Sequence, residues 1–84
     1  MIIMREVIGE KLKAERTRQN LSLRVVAKDS YMSLGYLSEI ERGKKELSSE
    51  MLNQLCKGLS LPVSDLLVEV LEEVIKREKQ HEKA

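Results

Sequence analysis

Eighty-four residues make one domain with a small core, because chains this short bury only roughly 60–65% of their unfolded surface. Two Tyr, no Phe and no Trp require that core to be aliphatic, and the lone Cys excludes an intrachain disulfide. One Cys and one His leave no zinc site, the net charge of +1 gives little general attraction to nucleic acid, and Met1-Ile2-Ile3-Met4 is too short for a signal peptide or a membrane span.

The chain therefore reads as cytoplasmic, with no membrane partner. One Pro and four Gly in a Leu/Glu/Lys-rich sequence without alternating patterns predict an all-α fold. Charge is uneven: residues 1–47 carry ten basic and seven acidic groups, net +3, and residues 48–84 carry five and seven, net −2. A phosphate-facing half needs an excess of the first sign.

The spacing predicts a first helix from about Arg5 to Gln19, with Ile8 and Leu12 inward and Val7 on the flank. Asn20 is an acceptable stop. Arg16 falls on the Leu12 side, where an unpaired guanidinium is costly to bury, so it needs a carboxylate. Glu41, on the inner side of the third helix, is the candidate; the alternative is two exposed charges.

Residues 22–43, SLRVVAKDSYMSLGYLSEIERG, hold two short apolar-periodic runs, each preceded by a serine. Ser22 precedes Leu23, Val26 and Ala27, and Ser33 precedes Leu37 and Ile40. A serine hydroxyl in that place accepts an orphan N–H of the first helical turn. Gly43 follows the second run, where a helix end takes positive φ. Two short helices with a tight link over Asp29–Ser33 form a helix-turn-helix. Leu37 and Ile40 face inward with Glu41 beside them. Gly35, Glu39 and Arg42 point the other way, with Ser38 on one flank. That face suits approach to base edges, or it is a plain surface helix.

The link Lys44-Lys45-Glu46-Leu47 leads to Ser48 or Ser49, either able to cap a fourth helix from about Ser49 to Leu59. Met51, Leu52, Leu55, Cys56 and Leu59 make its buried stripe, so Cys56 is a structural thiol. Ser60-Leu61-Pro62 breaks it, and a fifth helix runs from Val63 to about Gln80, roughly 27 Å. Its apolar positions Val63, Leu66, Leu67, Val70, Leu71, Val74 and Ile75 form one stripe. The first half covers the core; Val70, Leu71, Val74 and Ile75 overshoot it and predict a partner helix. The charged end KREKQHEKA should fray, with His81 solvated.

MSLGYLSEIERGKK resembles the recognition segment of the phage-repressor/Cro-like, or XRE, family. The likeness runs from about Ile8 to Leu67 through Gly9, Leu12, Arg16, Leu21-Ser22, Ala27, Ser33, Tyr36-Leu37-Ser38, Ile40-Glu41-x-Gly43 and Pro62-x-x-Asp65-Leu66-Leu67. SLGYLSEIERGKKELSSEML also resembles the actinobacterial regulators of Clp protease genes. Tyr31 stands where the family usually has Gly, Leu23 where many members have Gln, and Leu34 where many have a polar base-reading residue.

The resemblance implies a five-helix repressor-like DNA-binding domain spanning residues 1–84. Its core is about 5–67 and its helix-turn-helix 22–43; the apolar stripe, on a fifth helix longer than the family domain requires, makes about 63–80 the expected dimerisation helix. The resemblance also implies an Arg16–Glu41 pair between the first and third helices. The expected function is a sequence-specific, homodimeric transcription regulator on a palindromic operator with half-sites about 10 bp apart. The partner is double-stranded DNA, with no cofactor, metal or small-molecule ligand. Base readout falls to Leu34, Gly35, Ser38 and Glu39: Glu accepts from cytosine N4, and Leu34 either meets a thymine methyl or packs at the rim. Phosphate contacts fall to Ser22, Arg24, Ser33, Tyr36, Arg42, Lys44 and Lys45. The alternative is a protein-interaction module or antitoxin-type adaptor on the same scaffold. The only His lies in the tail, and no carboxylate pair, phosphate loop or nucleophile motif marks an enzyme.

Overall fold

The computed structural model describes residues 1–83 and contains five helices: α1 Met4–Arg18, α2 Leu23–Asp29, α3 Leu34–Glu41, α4 Ser49–Gly58 and α5 Val63–Lys83. There is no strand among the described residues. α1 packs on α3 and α5, α2 packs on α3 and α4, and α4 packs on α5.

Each short helix is defined by its ends. Ser22, Ser33 and Ser48 have extended backbone, and each Oγ accepts an N–H three residues on, from Val25, Tyr36 and Met51, all at 3.1 Å. Of the two serines before α4, the cap is therefore Ser48. α1 to α4 all close with the same left-handed residue, at Asn20, Tyr31, Gly43 and Ser60, with φ of 59°, 57°, 73° and 51°. In each case the next N–H turns back onto a carbonyl five residues earlier: Leu21 to Arg16, Met32 to Ala27, Lys44 to Glu39 and Leu61 to Cys56, at 2.9–3.1 Å. These bonds satisfy carbonyls that a helix end otherwise leaves open.

The core is wholly aliphatic apart from Cys56. Val7, Leu12, Val26, Ala27, Leu37, Ile40, Leu55, Cys56, Leu59, Leu66 and Val70 are buried. On α1 the core residue of the first turns is Val7, and Ile8 is only half-buried, which reverses the expected order. The reason is that α1 rolls toward both α3 and α5, so the Val7–Leu12 side meets the interior. On α4 the stripe is as expected, with Leu55, Cys56 and Leu59 buried and Met51 and Leu52 at its edge. Burial pushes the Cys56 thiol above its ordinary pKa, which keeps it protonated and unreactive.

α5 departs from the expectation in two ways. Its apolar residues divide into two stripes. Val63, Leu66, Val70 and Val74 face the core, while Leu67, Val68, Leu71 and Ile75 are exposed. The helix also continues through the charged end to Lys83, with His81 exposed. Ion pairs tie the helix to α1 as far as Arg77. Arg77 bonds Glu73 at 2.8 Å, four residues back, and Glu10 of α1 at 2.5 Å, and Lys11 lies 3.5 Å from Glu73. No helix of the described residues is long and apolar enough to cross a membrane.

A second polar cluster closes the far end of α1. Glu15 is buried, accepts from Arg18 Nε at 3.0 Å and from Gln19 Nε2 at 2.9 Å, and Gln19 also donates to the Leu59 carbonyl at 2.7 Å. The Arg18 bonds, outweighing burial, hold the Glu15 carboxyl below the ordinary glutamate range. Its contribution to stability is therefore complete at neutral pH and disappears as pH falls through and below that range.

Gly9 sets the distance between α1 and α3. A Cβ there would lie 2.3 Å from the Ile40 carbonyl oxygen and 2.9 Å from that of Glu41. Both obstacles are backbone, so a methyl group has to push α3 away. Gly9→Ala is expected to lower stability by about 3 kcal/mol, even though alanine favours helix, and denaturant unfolding measures it. Stability unchanged or raised would mean that the two helices do not touch there.

Candidate nucleic-acid interface

α3 is held from behind and open in front. Leu37 and Ile40 anchor its inner side in the core. Glu41 extends that side with a carboxylate only 6% exposed, which Arg16 of α1, 13% exposed, meets with two hydrogen bonds. Nε reaches Oε2 at 2.7 Å and Nη2 reaches Oε1 at 3.0 Å, while Nη1 donates to the Leu21 carbonyl at 2.9 Å. The guanidinium is thus engaged on three sides, and the Glu41 carboxylate, outweighing burial, raises the Arg16 pKa above its ordinary value. The expected pair is present, and the alternative of two exposed charges is excluded.

The front of α3 carries Gly35 and Arg42 exposed and Leu34 37% exposed, with Ser38 and Glu39 half-exposed beside them. These are the predicted base-reading residues with Arg42 at the end of the row. The N-termini of α2 and α3 carry Ser22 and Ser33. Each serine accepts a backbone N–H with its oxygen, so its own hydroxyl proton can still donate outward. Arg24 on α2 is exposed, as are Lys44 and Lys45 after α3.

Tyr36 is placed differently from the other predicted phosphate contacts. It is half-buried and its hydroxyl donates to the Glu46 carbonyl at 3.4 Å. Arg5, which sequence reasoning did not single out, joins it: Nε donates to the Gly43 carbonyl at 3.0 Å and Nη1 to Glu46 at 3.2 Å. Together they fix the Lys44–Glu46 link beside α3. No local signal marks Arg5, because its partners lie 38 and 41 residues away.

Of the four residues assigned to a partner helix, Val70 is 6% exposed and belongs to this chain's own core, and Val74 is half-buried against it. A charge at Val70 would disrupt the monomer itself. Leu71 and Ile75, at 57% and 41% exposure, remain on the outer face, joined by Leu67 and Val68.

The turn takes the conformation its glycine-favouring position demands. Tyr31 sits at φ 57° with 89% of its surface exposed. A left-handed non-glycine residue costs roughly 1–2 kcal/mol, and the ring recovers little of that by burial.

Two inner apolar anchors, a buried charge pair behind them and an open second helix define a DNA-binding helix-turn-helix, and the helix-turn-helix family profile matches residues 12–66. The chain belongs to that family of transcription regulators, which are not enzymes. Within it, the chain is 46% identical over 77 residues to the transcriptional regulator ClgR of Mycobacterium tuberculosis, covering 92% of this chain and 69% of the relative. The crystal structure of the clp gene regulator ClgR from Corynebacterium glutamicum superposes with a TM-score of 0.89 at 38% identity, covering 96% of this chain and 86% of that one. The wild-type restriction-modification controller protein C.Esp1396I shares the fold, with a TM-score of 0.84 at 21% identity over 90% of this chain and 99% of that one. The resemblance to regulators of Clp protease genes therefore holds at the level of whole-chain similarity.

Gly35 separates the demands of the fold from those of the surface. A Cβ at Gly35 would meet nothing within 4 Å, and the residue sits in helix without a positive φ. Nothing inside the domain needs a glycine there. Gly35→Ala is therefore expected to raise stability by about 1 kcal/mol, the ordinary gain of alanine over glycine in a helix. Thermal and denaturant melting check it; a loss of stability would show that the glycine serves packing.

Proposed function

We propose that the chain is a sequence-specific regulator that binds a palindromic operator as a homodimer, with one α3 in each of two successive major grooves. The observation that carries this reading is the exposed glycine on the front of α3, flanked by Leu34, Ser38 and Glu39. It weakens the helix, serves no contact within the chain, and lowers the surface where a base edge or backbone would approach. Base readout falls to Leu34, Gly35, Ser38 and Glu39. Phosphates are met by Ser22, Arg24, Ser33, Arg42, Lys44 and Lys45; Tyr36 braces the link and reaches a phosphate only by leaving Glu46.

The outer stripe of α5 supports the dimer. Leu67, Val68, Leu71 and Ile75 lie on one face of a helix that extends past the core. Each is worth roughly 1.5–3 kcal/mol when fully buried, so a two-fold helix–helix contact offsets the entropy of association. Similarity to the clp gene regulator makes Clp protease genes the first targets to test. The same stripe favours a second reading, a protein-interaction module, whose binding would be insensitive to salt.

Selection of bound sequences from random duplex DNA tests the proposal. The expected product is a two-fold symmetric consensus with half-sites about 10 bp apart. Glu39→Ala should relax one base position per half-site, and Lys45→Ala should weaken all sequences about equally and lower the salt slope by about one unit. A Leu71→Glu, Ile75→Glu variant should stay folded, sediment as a monomer and lose most affinity for the full site. No enrichment, or tight binding of the full site by that monomer, would overturn it.

A further inference from the structure

Besides the front of α3, a second surface with cations outside any ion pair lies between α1 and the end of α3. A groove of about 510 Å³ is lined by Glu10, Lys13, Ala14, Thr17, Glu41 and Arg42. By residue type it holds two acids and two bases, but both acids are already engaged. Glu41 is held by Arg16, and Glu10 bonds Arg77 of α5 at 2.5 Å. Lys13 enters no ion pair among the described residues, and the one bond from Arg42 is a 3.4 Å contact from Nε to the Ser38 carbonyl. The groove thus carries two cations outside any ion pair, beside two carboxylates that are each paired with an arginine from outside it.

We propose that this groove seats a backbone phosphate of the bound DNA, with Lys13 of α1 as a contact residue and Arg42 shared between the groove and the recognition face. The proposal rests on the DNA-binding reading and adds α1 to the surface that touches the duplex. Continuity selects the ligand, because Arg42 ends the exposed row of α3, and a strand passing that row reaches the groove next. Ala14 keeps the wall low. Thr17 turns its hydroxyl back onto the Lys13 carbonyl at 2.6 Å, which leaves the charged groups to do the binding.

The test uses the full chain and a labelled mixed-sequence duplex, titrated at several chloride concentrations. The Lys13 side chain is exposed and enters no hydrogen bond or ion pair among the described residues, so Lys13→Ala should melt like wild type. It should lower the slope of log K against log salt by about 0.9, the value for one lost phosphate contact. Lys13→Arg should keep the wild-type slope. Lys57→Ala, an exposed lysine on α4 outside the groove, should keep it too. Inorganic phosphate at matched ionic strength should compete no better than chloride. A wild-type slope for Lys13→Ala, an equal drop for Lys57→Ala, or specific competition by inorganic phosphate would each overturn the proposal. Failure of the wild-type chain to bind any duplex would instead overturn the DNA-binding reading on which it rests.

Discussion

The buried bidentate pair between Arg16 and Glu41 is the interaction on which the rest of the arrangement depends. α3 has eight residues, far short of the roughly 12–15 at which an isolated helix becomes even marginal in water. Its placement must come from tertiary contact, and the contact has three parts. Leu37 and Ile40 give it adhesion, the bare backbone at Gly9 gives it a fixed distance from α1, and the ion pair fixes its rotation. Apolar contact is non-directional and specifies rotation only through packing. Two parallel N–H···O bonds specify it directly, and that fixed rotation is what keeps Gly35, Ser38 and Glu39 outward.

Around that anchor the chain changes direction by one repeated device. A serine opens each of α2, α3 and α4, and a left-handed residue closes each of α1 to α4. Only one of the four left-handed positions is glycine. The other three accept strain locally, and the fold holds them because the returning N–H bonds and the following apolar residues, Leu21, Met32 and Leu61, tie down the chain beyond. The short links leave little freedom between helices, so the geometry of the front face is inherited from turns rather than from a large core.

Much of this was legible from residues with local signatures. The serine caps, the glycine at 43, the apolar runs of α2 to α4 and the position of Tyr31 against the family pattern all act within a few residues of themselves. The Arg16–Glu41 pair was legible because burying either charge alone is prohibitive. What escaped was decided at long range. Periodicity marked Leu67, Val70, Leu71 and Val74 as apolar, but only the angle at which α5 crosses α1 divides them into inner and outer stripes. Arg5 acts on Gly43 and Glu46, and Arg77 on Glu10, at separations of 38 to 67 residues, and no window of sequence contains these bonds.

A double-mutant cycle on the pair tests this account most directly, with Arg16→Met, Glu41→Leu and the combination measured by denaturant unfolding. Each single variant strands one buried charge and is expected to lose about 3–5 kcal/mol. The combined variant strands none, so it should lose less than either single change, with a coupling of several kcal/mol. Losses that simply add across the cycle would contradict the claim that this pair holds the recognition helix in place.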